Sequence, residues 1–114
     1  MGWAVADSGS QTCTISTTHT LCTEAVPTDG KTYVLRLDIN ALTTGERLLV
    51  EIETKTRTSD TTRKTQPSVL LVGGYDQKVV DLPFVAGQAS NEVVCKITQQ
   101  NGTGRAIPWA LLEG

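Results

Sequence analysis

A chain of 114 residues with a net charge of −2 and an isoelectric point near 5.3 makes one domain large enough to bury its own core. It lacks the basic surplus of a protein that lives on phosphate backbones, so no nucleic acid is expected as a partner; nor does any apolar run approach the ~20 residues that span a bilayer, so no membrane is expected either. Hydrophobic residues make up 39%, below the ~45–50% of ordinary domains, and threonine, at 18 positions, fills the difference with stiff β-branched side chains suited to a half-solvated sheet.

Residues 1–12 are polar, with Ser8-Gly9-Ser10 at their centre and Trp3 near the tip. They are expected as a flexible N-terminal arm ahead of a domain at 13–114. On such an arm Trp3 either tucks against its own domain or docks on a neighbouring subunit. The opening has neither the basic nor the apolar region of a secretory signal. Cys13, Cys22 and Cys95 are an odd number for a disulfide framework. Both features point to assembly in a cytoplasm.

After the arm, Cys13, Ile15 and Thr17 alternate with Thr14 and Ser16, and His19, Leu21, Thr23 and Ala25 form a second short run. Pro27-Thr28-Asp29-Gly30 ends it, because Asp-Gly readily supplies a positive φ. Tyr33, Leu35, Leu37 and Ile39 then alternate with Val34, Arg36, Asp38 and Asn40, the period of a strand with one face in a core. Residues 40–46 make one helical turn or a loop. The next strand holds Leu48, Val50, Ile52 and Thr54 inward, with Leu49, Glu51, Glu53 and Lys55 outward.

A long polar connection, residues 56–67, leads to an apolar run at 69–72, a turn at Gly73-Gly74-Tyr75-Asp76 and a strand at 78–82. Pro83 marks that strand as an edge or its end. Val93, Cys95 and Ile97 alternate with Val94, Lys96 and Thr98. Asn101-Gly102 reads as a tight hairpin, and 105–112 returns as the last strand, with Pro108 placing part of it on an edge. About seven or eight short strands at this spacing predict an all-β, single-domain antiparallel β-sandwich or β-barrel, jelly-roll-like and without substantial helix.

Chemistry is sparse. The single histidine, His19, sits in a threonine-rich run with no nucleophile motif beside it, and reads as a surface or edge-strand residue rather than a base. Cys13, His19, Cys22 and Cys95 lack the close ligand pairs of structural zinc, and period two puts Cys95 on an apolar face as a core thiol. Glu51 and Glu53 share a solvated face. Asn101-Gly102-Thr103 matches a glycosylation sequon but reads as a by-product of the turn. No enzyme activity, metal or cofactor is expected. In the 56–67 connection, Arg57, Arg63 and Lys64 stand against Asp60, with Lys55 just before. A positive loop on an acidic protein suits an acidic neighbour, a second copy included.

Several stretches together resemble a known group. They are Thr18-His19-Thr20-Leu21, then Leu37-Asp38-Ile39, Leu42, Gly45-Glu46-Arg47-Leu48 and Val50, and the closing run from Thr98 through Asn101-Gly102-Thr103-Gly104-Arg105 to Pro108-Trp109. This pattern, over 18–112, is similar to the capsid decoration or cement proteins of tailed bacteriophages. The resemblance implies a virion module on the capsid exterior, a homotrimer that binds the major capsid protein and ties neighbouring capsomers together. Contacts in that family come from terminal arms and loops, here Trp3 and Val5 in the arm and Arg57, Asp60, Arg63 and Lys64 in the loop. The alternatives are another virion β protein, in a head–tail connector, tail or fibre, and a carbohydrate-binding module. The latter would draw on Trp3, Tyr33, Tyr75, Phe84 and Trp109, of which Tyr33 is expected inward.

Overall fold

The computed structural model describes residues 3–24, 32–54, 64–65, 68–76, 78–85 and 93–114. They form β1 (Ala4–Thr12), β2 (Thr18–Glu24), β3 (Thr32–Asp38), β4 (Arg47–Thr54), β5 (Lys64–Thr65), β6 (Val69–Val72), β7 (Val79–Val85), β8 (Val93–Gln99) and β9 (Ala106–Glu113). All pairings among them are antiparallel. Sheet A runs β1-β9-β3-β7. Sheet B runs β2-β8-β4, and both β5 and β6 pair with β4. Counting β5 and β6 as one interrupted strand, the two four-stranded sheets have the strand order of a jelly roll. The shortest dimension, 20 Å, fits two sheets ~10 Å apart with side chains on their outer faces.

The two-residue rhythm is obeyed where it was clearest. Tyr33, Leu35 and Leu37 of β3, Leu48 and Val50 of β4, and Val93, Cys95 and Ile97 of β8 are buried between the sheets with Ile107 and Leu111 of β9. Tyr33 faces Phe84 across β3 and β7, and their rings stack at 5.6 Å. Pro83 lies in β7, an edge of sheet A, where a missing N–H costs no ladder bond. Pro108 falls just beyond the part of β9 that β3 reaches, which begins at Trp109.

Three expectations are corrected. Residues 4–12, read as a flexible arm outside the domain, are the edge strand β1, paired with β9 from Ala4↔Glu113 to Thr12↔Ala106. Without a partner there, one side of β9 would carry open backbone groups over the core. Gly9 lets the strand pass over the indole of Trp109, which a Cβ would meet at 3.2 Å. The alternation at 13–17 is not a strand: Ser16 adopts φ 61° and Thr17 N–H donates to Thr14 O at 3.1 Å, closing the turn that carries the chain from sheet A to sheet B.

In β2 the register shifts between Thr20 and Cys22. This bulge at Leu21 turns Cys22 into the core, with Leu21 half-buried against it. Finally, Asn101-Gly102 makes no hairpin, because β8 and β9 belong to different sheets. The Pro27–Gly30 turn lies outside the described residues.

Side chains explain the last correction. Gln99, fully buried, donates from Nε2 to Asn101 O at 3.0 Å and Thr103 O at 2.7 Å, and its Oε1 accepts from Arg105 N–H at 3.0 Å. Glu46, 5% exposed, accepts from Thr43 N–H at 2.7 Å, Thr103 N–H at 2.9 Å and the Arg105 guanidinium at 3.0 and 3.2 Å. Asn101 accepts from Arg47 N–H and donates from Nδ2 to Gly45 O, so the sequon amide is already engaged. The 100–105 backbone is therefore held by these side chains and, at its ends, by backbone bonds to Arg47 and Cys13 rather than by a two-strand ladder, and it arches between the sheets. Gly102 sits at φ 83°, and a Cβ there would overlap the Glu46 carboxylate.

Candidate functional site

In a sandwich each sheet turns one face to its partner and one outward. On sheet A the register stacks cross-strand rows. One row is Val5–Leu112–Val34–Pro83 and the next is Ser8–Ala110–Arg36–Asp81. A third brings Ser10 beside Pro108 and Asp38 beside Val79. Val5 and Val79 are 63% and 48% exposed. Each of the four strands contributes at least one apolar side chain to this face, beside Ser8, Ser10, Arg36, Asp38 and Asp81.

Its central charges are paired with each other. The Arg36 guanidinium donates to both Asp81 carboxylate oxygens, at 2.7 and 3.0 Å. Their hydrogen bond and mutual attraction hold the Asp81 carboxyl below the usual carboxylate range and push Arg36 up. At about half exposure on each side, such a pair adds little stability. It does cancel two charges in the middle of the face, so covering the face would bury a formed pair and not two separate ions.

Trp3 frames one corner. Its ring lies against Gly114 with 54% of its surface exposed. A shallow depression of about 370 Å³ opens between it and Val34, Arg36, Asp81, Pro83 and Leu112. A second, of about 290 Å³, lies between Arg36, Asp38, Val79, Pro108, Trp109 and Ala110.

Sheet B turns a different surface outward. Thr18–Thr98–Leu49–Leu70, Thr20–Lys96–Glu51 and Thr23–Val94–Glu53 are its rows. The Thr18 and Thr98 hydroxyls share a hydrogen bond at 2.8 Å, and Lys96 pairs with Glu53 at 3.0 Å. Threonine and charge dominate there, as on an ordinary wetted face. Sheet A carries the unusual one.

Of the interface residues named from sequence, Trp3 and Val5 lie on or beside the sheet A face. Lys64 opens β5, opposite Thr54, and Arg57, Asp60 and Arg63 lie outside the described residues. The aromatic rings do not form a common platform. Tyr33 and Phe84 are buried. The exposed Tyr75 lines a depression with Ile39, Leu70, Leu71, Val72 and Val80, none of which lines that of Trp3.

His19 is tied into the β1–β2 turn. Its Nε2 accepts from Thr14 N–H at 3.0 Å, and its Nδ1 lies 3.3 Å from the Gln11 amide. Cys13, Cys22 and Cys95 are buried and unbridged. Burial raises the Cys13 pKa, and a hydrogen bond with Cys22 followed by burial raises that of Cys95. Among the described residues no three His, Cys, Asp or Glu side chains stand close enough to hold a metal ion.

The sequence did signal the sheet A face. From Ala106 to Leu112 every residue of β9 is apolar. A strand with one wet face would alternate, so a run apolar in both phases asks for cover on both sides. Compared with protein-family models, with curated proteins and with solved structures, the chain gives no match.

Proposed function

We propose that this protein is a capsid decoration protein, a non-enzymatic cement that lays the outer face of sheet A on the major capsid protein at the exterior of a tailed-phage head. The observation that carries this is the apolar face itself, charge-cancelled at its centre and rimmed by Trp3. The resemblance of the turn and core motifs supports it, and so does the jelly-roll strand order, which recurs in viral capsid proteins as a fold-level analogy.

Size bears on how such a face would work. Four strands ~4.8 Å apart and some 25 Å long present about 500 Å², below the ~800 Å² per partner of a stable interface. One copy alone would bind weakly. Copies grouped as a homotrimer engage several capsid subunits at once, and linked weak contacts gain strength without any new contact.

The test is occupancy. Val34→Lys, at the centre of the apolar row, is expected to lower binding to purified undecorated heads at least about tenfold, equivalent to ~1.4 kcal/mol, with an unchanged β-sheet circular dichroism spectrum. Thr20→Gln, on the outer face of sheet B, is expected to leave occupancy as it was. Equal loss from both variants, or from neither, removes the sheet A face from the proposal. Quantitative gels of whole particles address location: copies scaling with the capsomers mean shell, and a single ring's worth means a head–tail connector instead.

A further inference from the structure

Independently of that function, we propose that Cys22 and Cys95 are a latent cross-strand disulfide site, which closes on exposure to a low-molecular-weight disulfide and fastens edge strand β2 to β8. The bulge in β2 creates the site. His19 faces Ile97 and Thr20 faces Lys96; unbroken register would then set Leu21 against Cys95 and Cys22 against Val94. The extra residue shifts the strand so that Cys22 faces Cys95. Directly opposed residues of an antiparallel pair have Cα atoms ~4.5 or ~5.5 Å apart, both inside the ~4.4–6.8 Å window of disulfides. The two side chains point to the same buried side, and the thiols already share a hydrogen bond.

In the closed sandwich the pair is protected, because hydrogen bonding and burial keep Cys95 in the thiol form, and the thiolate is the nucleophile. Access comes through β2, which pairs with β8 on one side and ends the sheet, so local opening exposes Cys22 first. The Cys22 thiolate, having given its proton to solvent, attacks one sulfur of oxidised glutathione and releases glutathione thiolate. The Cys95 thiolate then attacks the Cys22 sulfur of the mixed disulfide and releases the second. Both leaving thiolates take up protons, so the protein loses two electrons and two hydrogens, and one glutathione disulfide becomes two thiols. Opposed Cβ atoms start ~4.5–5.5 Å apart, whereas a disulfide holds them near ~3.8 Å. Closure therefore draws the two strands locally together.

The experiment refolds the reduced full chain in buffer rich in oxidised glutathione, alkylates the remaining thiols and maps the peptides. The expected product lacks the mass of two hydrogen atoms, keeps one alkylated thiol at Cys13, and melts about 5 °C above the reduced form, a gain lost on adding dithiothreitol. Cys13 and Cys22 share the tryptic peptide 1–31, so the Cys13→Ser variant, which must still form the link, assigns the bond. Three alkylated thiols, a bond that vanishes in Cys13→Ser, or a stable glutathione adduct on Cys22 would each overturn the proposal.

Discussion

Replacing Glu46 with alanine is expected to destabilise the protein by about 3 kcal/mol at neutral pH, moving the urea midpoint down by about 2 M. The carboxylate accepts from two backbone N–H groups and from Arg105, and it is buried at the junction of the 39–46 and 100–105 loops. Alanine would leave those donors facing a void. Arg105 keeps access to water, its side chain being 29% exposed, so the loss falls at the low end for a broken buried pair. Glutamine would present an N–H₂ to a site built of donors, and its substitution is expected to recover less than half of the loss.

The same site fixes an acid limit. Contact with Arg105 first, and the Thr43 backbone next, lower the Glu46 pKa from 4.5 to about 2. A carboxyl depressed in the folded state contributes in full above its ordinary value, and the contribution fades as pH falls from 4.5 towards 2. For a displacement of this size that amounts to roughly 3 kcal/mol. Wild-type stability should therefore drop through this window, while the alanine variant drops less and the two curves converge. If both unfold at the same urea concentration at pH 7, Glu46 does not hold the arch.

Tyr33→Ala is expected to cost about 3–5 kcal/mol, enough to lower Tm by about 15 °C. Tyr33 is fully buried between the sheets and stacked on Phe84 at 5.6 Å and 17°, so alanine removes both the ring's burial and a stacking term of about 1 kcal/mol. The loss is large beside the ~5–15 kcal/mol that holds a typical domain together, so the comparison belongs at low temperature. Tyr75→Ala supplies the contrast. That ring is 68% exposed, and its loss should stay within about 0.5 kcal/mol. Similar melting points for the two variants would mean that Tyr33 is not part of a closed core.

Much of this frame was legible. Tyr33, Leu35 and Leu37 and, in β8, Val93, Cys95 and Ile97 announce strands with one buried face, because only a two-residue period lets one sheet be oily inside and wet outside. The candidate face was half legible, in the run from Ala106 to Leu112 that is apolar in both phases. Its extent was hidden. Val5, Val34, Leu112 and Pro83 are far apart in the chain, and the register of four strands makes them one row.

The sequence by itself determined the all-β class and the inward set of β3, β4 and β8, and it limited Pro83 to an edge strand or a strand end, since these follow from local sterics and from the spacing of apolar side chains. Tertiary structure decided that residues 4–12 become a strand, that Cys22 turns to Cys95, and that Asn101-Gly102 is an arch instead of a hairpin. Each depends on a partner distant in sequence: the open flank of β9, the bulged register with β8, and the carboxylate of Glu46. A turn motif encodes a bend but not what the flanking strands will pair with. That choice rests on which backbone groups remain unsatisfied after the rest of the chain has folded.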